Sequence, residues 1–142
     1  MATIVFNELL NGMVGGATHS TIDWDGDNID ASLLDATDAN GGVALTASNV
    51  VDYDDVNDAT VVATADVTVT GAGTSTGVVT ASAVTFTSVT GDAADYLIVW
   101  KNSGTPATSP LAIVWDSTTT GLPVTPNGGD ITATWGSNTV LT

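Results

Sequence analysis

The segment DWDGDNID sets four carboxylates, Asp23, Asp25, Asp27 and Asp30, around a single tryptophan, Trp24. Carboxylate oxygens at this spacing are ligands for a hard cation, so the chemistry they could support is Ca2+ binding. An EF-hand loop is not among the options. With Asp23, Asp25 and Asp27 in its first, third and fifth places, the sixth demands Gly and holds Asn28, and the twelfth demands Glu and holds Leu34. An irregular site from Asp23, Asp25, Asp27 and Asp30 stays open, because a hard cation accepts oxygens from any cluster of suitable radius. The competing reading turns Trp24 inward, leaves Asp23 and Asp25 in water and puts Asp27 at the turn before Ile29. That reading is preferred. No cofactor is therefore expected, with Ca2+ at the four aspartates as the alternative. A second acidic stretch, VVDYDDVND from Val50 to Asp58, reads in the same way, as an exposed loop or strand end.

Catalytic chemistry finds little to work with. The single histidine, His19, lies in GGATHST, and no G-x-S-x-G accompanies it to make a Ser-His-Asp site. Asp-Thr-Gly and Asp-Ser-Gly are both absent, and Glu8 is the only glutamate. A glycosidase needs two carboxylates in different environments, and nothing in the pattern singles out such a pair. There is no P-loop, no GxGxxG and no H-E-x-x-H. The chain has no cysteine, so it has neither disulfides nor a thiolate nucleophile. No enzymatic activity is expected. The four tryptophans, Trp24, Trp100, Trp115 and Trp135, read as core and sheet-edge residues. A sugar-stacking platform would need them exposed.

Charge narrows the partners. Sixteen acidic residues face one base, Lys101, for a net charge of −15. Nucleic-acid binding runs on cations that neutralise phosphates, so it is excluded by that route, and an anionic membrane surface is excluded by sign. A basic protein surface remains. The N-terminal MATIVFNELLNGM lacks the basic start and long apolar core of a signal peptide, and no apolar run is long enough to span a bilayer.

The elements that must position these residues are mostly strands. At 142 residues the chain is long enough for one core. Its Thr, Val, Ala, Gly and Ser favour strands and turns over helices. Phe6, Leu9, Leu10 and Met13 fall at i, i+3, i+4, i+7, which predicts a two-turn helix ending at the following glycines. From Ile22 onward the period is two. Ile29, Ala31 and Leu33 alternate with Asp30, Ser32 and Leu34, in a strand that ends at Asp35. Val67 and Val69 oppose Thr68 and Thr70, and Val84 and Phe86 oppose Thr85 and Thr87. YLIVW (Tyr96 to Trp100) and LAIVW (Leu111 to Trp115) are continuous apolar runs, predicting burial on both faces. GLPVTPNGGD is a loop, and ITATW and TVLT close the chain as strands. The expectation is an all-β fold, an antiparallel sandwich or small barrel of about seven or eight short strands. Residues 1–21 form a short helix or arm, and 22–142 a single β-sandwich domain.

The segment from Tyr96 to Trp135 resembles a family of small tailed-bacteriophage virion proteins. Its members share a strand, a Lys with a short Gly/Thr/Ser loop, a second strand, then TGLPVTPNGGDI and a Trp-containing strand. Here that motif stands whole at Thr120 to Ile131, with Gly121, Pro123, Pro126, Asn127, Gly128 and Gly129, and Trp135 follows. DWDGDNIDASLLD is similar to the family's first strand through Trp24, Asp27, Ile29, Leu33 and Asp35, and AVTFTSVTGD (Ala83 to Asp92) is similar to a further strand. Together these cover about half the chain, and residues 41–80 find no counterpart.

The resemblance implies a capsid decoration or cement protein, made in the host cytoplasm and carried on the outer capsid surface of the virion. The implied partners are the major capsid protein of the same phage and further copies of the chain, with a trimer favoured. The apolar N-terminal residues Ile4, Phe6, Leu9, Leu10 and Met13 are then expected to make shell and subunit contacts. A tail or fibre component, or a Ca2+-dependent carbohydrate-binding sandwich, is the alternative.

Overall fold

The computed structural model describes residues 3–5, 22–36, 45, 52–56, 61–72, 79–116, 121–135 and 140–141. Within them run the strands β1 (Thr3–Val5), β2 (Ile29–Leu34), β3 (Val61–Asp66), β4 (Val69–Ala72) and β5 (Val79–Ala81). They are followed by β6 (Val84–Phe86), β7 (Tyr96–Lys101), β8 (Leu111–Trp115), β9 (Ile131–Thr134) and β10 (Val140–Leu141). Every pairing between them is antiparallel. A five-stranded sheet has the order β1-β8-β7-β2-β3, a three-stranded sheet the order β10-β9-β6, and β4 and β5 form a hairpin. The described strands make open sheets and no closed barrel, so of the two expected architectures the all-β sandwich is the one found. The predicted helix at Phe6 to Met13 lies outside the described residues.

Side-chain alternation builds the interior of the sandwich. Ile29, Ala31 and Leu33 of β2, Leu97 and Val99 of β7, and Ala112 and Trp115 of β8 point to one side of the large sheet. They meet Val84 and Phe86 of β6 and Ile131 and Ala133 of β9 in one buried cluster. Thr85 and Thr87 are exposed on the opposite side of β6, and Thr68 and Thr70 are exposed while Val67 and Val69 pack on the core, as the period of two predicts.

The other side of the large sheet is covered as well. Leu34, Ile98, Trp100, Leu111 and Val114 form a second buried cluster under Leu45, Tyr53 and Val56. The cover is tied down by a bridge between Asp52 and Pro110 and by Tyr53 N donating to Ser109 O at 2.8 Å. Consequently all six residues of β2 are buried, Asp30 and Ser32 included, although the alternation alone suggests a wet face for them. YLIVW and LAIVW are buried on both faces as expected, apart from the half-buried Tyr96 and Ile113. The register between β7 and β8 shifts between Val99 and Trp100, leaving Ala112 of β8 as the extra residue. That bulge lets Leu111 and Val114, three residues apart, reach the same cluster.

Two strands escape the sequence pattern. β3, with the sequence VVATAD, lacks large apolar residues, and it pairs along the outer side of β2. β1 pairs with β8, Ile4 opposite Val114. Thr3–Val5 is therefore an edge strand of the main sheet. Its β-branched Thr3, Ile4 and Val5 suit that place, and pairing satisfies backbone groups that β8 would otherwise leave open.

Candidate functional site

The acidic segment before β2 folds as a tight turn closed by Asp27. Gly26 N and Asp27 N donate to Asp23 O at 3.2 and 2.8 Å, and Asp23 N donates back to Asp27 Oδ2 at 2.6 Å. The same oxygen lies 2.9 Å from Lys101 Nζ. Antiparallel register supplies that ion pair, since Ile29 stands opposite Lys101 in the β2–β7 ladder. A Cβ at residue 26 would come within 2.7 Å of Asp23 Oδ2, so a larger residue there would require that exposed side chain to move. Asp23 and Asp25 are exposed, and Trp24 packs half-buried against the interior cluster, the arrangement preferred from the sequence. A hydrogen bond to the Asp25 side chain, with the charges of Asp25 and Asp27 adding to it, pushes the Asp23 carboxyl up.

Asp30 belongs to a different place. It is 3% exposed, on the side of β2 that faces away from the interior cluster. Asn102 Nδ2 donates to its Oδ2 at 2.8 Å, while Oδ1 is buried with no hydrogen-bond partner among the described residues. Asp66 of β3 stands directly opposite it in register. Burial pushes the Asp30 carboxyl up, Asn102 opposes this by stabilising the ionised form, and the Asp66 carboxylate adds to the rise.

The four sequence candidates thus divide, with Asp23 and Asp25 in water, Asp27 on Lys101, and Asp30 on Asn102 opposite Asp66. Among the described residues no group of three or more His, Cys, Asp or Glu side chains is placed to hold a metal ion. His19 lies outside the described residues. Asp66 and Asn102 are the partners that sequence reasoning missed. Antiparallel register could have found Asn102, the residue after Lys101; Asp66 needs the β2–β3 pairing, which the sequence does not announce.

The second acidic stretch is half what was expected. Asp54 and Asp55 are exposed, and Asp52 caps the 3-10 turn Tyr53–Asp55 in a reciprocal box with Asp55. Tyr53 and Val56 turn inward instead. The Tyr53 ring stacks on Trp100 at 3.7 Å with the planes 5° apart. Trp100 Nε1 donates to Ser32 Oγ at 3.0 Å, and Ser32 also meets Thr64 Oγ1 at 2.7 Å and the Tyr53 hydroxyl at 3.5 Å. A polar knot therefore sits under the cover.

The motif after β8 becomes a loop bonded to the sandwich along its length. Ala94 and Val124 exchange two backbone hydrogen bonds, both 2.9 Å, and Val89 does the same with Gly128 and Gly129. Asn127 Oδ1 accepts from Gly129 N, and Asp130 Oδ1 accepts from Ser88 N, each at 2.9 Å. Gly128 has φ +86°, which favours glycine at that corner. The Leu122–Pro123 peptide is cis. Leu122 is buried and Pro126 half-buried, whereas Gly121, Pro123, Asn127, Gly128 and Gly129 are exposed. Trp135 anchors the next strand by donating Nε1 to Ser82 O at 2.7 Å, its ring 5.4 Å from that of Trp115. None of the four tryptophans is exposed, so the platform that carbohydrate stacking requires is not formed by them.

No protein-family model matches the chain, and no curated protein matches it.

Proposed function

We propose that the chain is a non-enzymatic phage structural protein that decorates the outside of the assembled head and stabilises it. It acts as a homo-oligomer, with a trimer favoured, on the major capsid protein of the same phage. The observation that carries this reading is the Thr120–Ile131 motif. The buried Leu122 and the hydrogen bonds made by Val124, Gly128, Gly129 and Asp130 fix the loop on the sandwich, while Pro123 and Asn127 stand exposed at the surface. Such a loop presents a fixed shape to a partner with little ordering cost on binding. The acidic surface suits a basic docking surface on the shell.

A decoration protein stabilises a shell because it binds the assembled, expanded form and not the free subunits. Several copies around a symmetry axis multiply a weak single contact. Ile4, Phe6, Leu9, Leu10 and Met13 are the proposed shell and subunit contacts. Removing residues 1–16 would strip the edge strand along with the contact, so substitution of Phe6, Leu9, Leu10 and Met13 by serine is the cleaner test. The purified protein is expected to co-sediment with expanded shells that lack it and to raise their melting temperature. The four-serine variant is expected to stay folded and remain in the supernatant. Failure of the unaltered protein to bind expanded shells would overturn the proposal.

A further inference from the structure

The ladder between β2 and β3 sets Asp30 and Asp66 directly opposite each other. Like charges so placed repel, and Asp30 is also buried, with Oδ1 lacking any hydrogen-bond partner among the described residues. The charged and polar groups around it do not relieve this. Asn102 is bound to the other oxygen, Oδ2. Lys101, at the same end of the neighbouring strand, reaches Asp27. The hydroxyls of Tyr53 and Thr64 are directed to Ser32. One proton would remove both the repulsion and the orphaned oxygen, by turning Oδ1 into a hydroxyl that donates to the Asp66 carboxylate.

We propose that Asp30 and Asp66 act as a single-proton carboxyl pair that fastens the outer strand β3 to the sheet in acid and loosens it as the pH rises. Among the described residues β3 is the end strand of the large sheet, held there by one ladder, to β2. The pair lies at the last register position of that ladder, where fraying starts.

The direction of the pH effect follows from linkage. Burial first, and the Asp66 charge after it, raise the Asp30 carboxyl above its ordinary value of 3.8 in the folded chain. A group raised on folding contributes stability that is fully present below its unfolded value. That contribution is lost as the pH climbs through the folded value. The rest of this acidic chain has its own pH dependence, so the difference between variants is what carries the information.

The experiment measures urea midpoints of the full chain and of D30N and D66N from about pH 3.5 to about pH 7, alongside carboxyl carbon NMR of Asp30. In D30N the amide can donate where the carboxyl proton did and accept from Asn102. D30N should therefore equal the parent chain at the acid end and exceed it near neutrality. In the parent chain the Asp30 carboxyl should titrate above 3.8, and in D66N it should titrate lower than in the parent. An Asp30 carboxyl that titrates at or below 3.8 would overturn the proposal. So would parallel pH profiles for the parent chain and D30N. A Ca2+-induced thermal shift at neutral pH that D30N abolishes would also overturn it, by making the pair a cation site. Should D30N not fold, the NMR titrations of the parent chain and D66N decide alone.

Discussion

The two faces of the five-stranded sheet are both buried, yet by different means. One face meets a second sheet through side chains that are apolar throughout, Ile29, Ala31, Leu33, Leu97 and Val99 against Val84, Phe86, Ile131 and Ala133. The other is roofed by Leu45 and a short turn carrying Tyr53 and Val56, and it encloses Ser32 and the indole N–H of Trp100, with the exposed Thr64 bonded to Ser32 and Asp30 at its edge. Apolar packing is non-directional, so the first face tolerates any arrangement that fills the volume. Buried polar groups must each find a partner in one geometry, so the second face selects a register. The comparison suggests that volume holds the sandwich together while hydrogen bonds fix how its outer strands align.

Substitutions should separate the two. The largest loss is expected from Phe86→Ala in the dry face, where an almost fully buried ring leaves a cavity. Urea unfolding should register about 3–5 kcal/mol, with the dimensions of the remaining fold intact. Ser32→Ala removes far less volume but strands the Trp100 indole donor, and about 1–3 kcal/mol is expected from the same measurement. Hydrogen exchange should show that loss spreading to β3, since Thr64 loses its partner too. An Ser32→Ala variant as stable as its parent would erase the distinction between the faces. The smallest effect belongs to Lys101→Gln, which opens a half-buried ion pair at the rim of both faces. About 0.2–1 kcal/mol is expected, shrinking as salt is added.

The dry face was legible in the sequence because it is written in period two. Val84 and Phe86 against Thr85 and Thr87 announce one wet and one buried side, and YLIVW and LAIVW announce strands covered on both. The bulge at Ala112 was not legible, since a uniform apolar run carries no phase to lose. The covered polar face was harder still. Its roof comes from VDYDDV, whose carboxylates dominate the composition and hide Tyr53 and Val56, three residues apart on one side of a 3-10 turn. Asp30 looked like a member of the carboxylate group at 23–27, because neighbours in sequence are assumed to be neighbours in space. The start of β2 separates them, passing Asp30 to the sheet and leaving Asp27 in the turn.

The proposed seat of this sandwich is the outside of a phage head. Cryo-EM of expanded shells lacking the protein, incubated with it and pelleted, is the decisive measurement. Added density is expected at regular positions on the outer surface, arranged as an oligomer about local symmetry axes and contacting the major capsid protein. Bare shells, with the protein found on tails or free in solution, would contradict it.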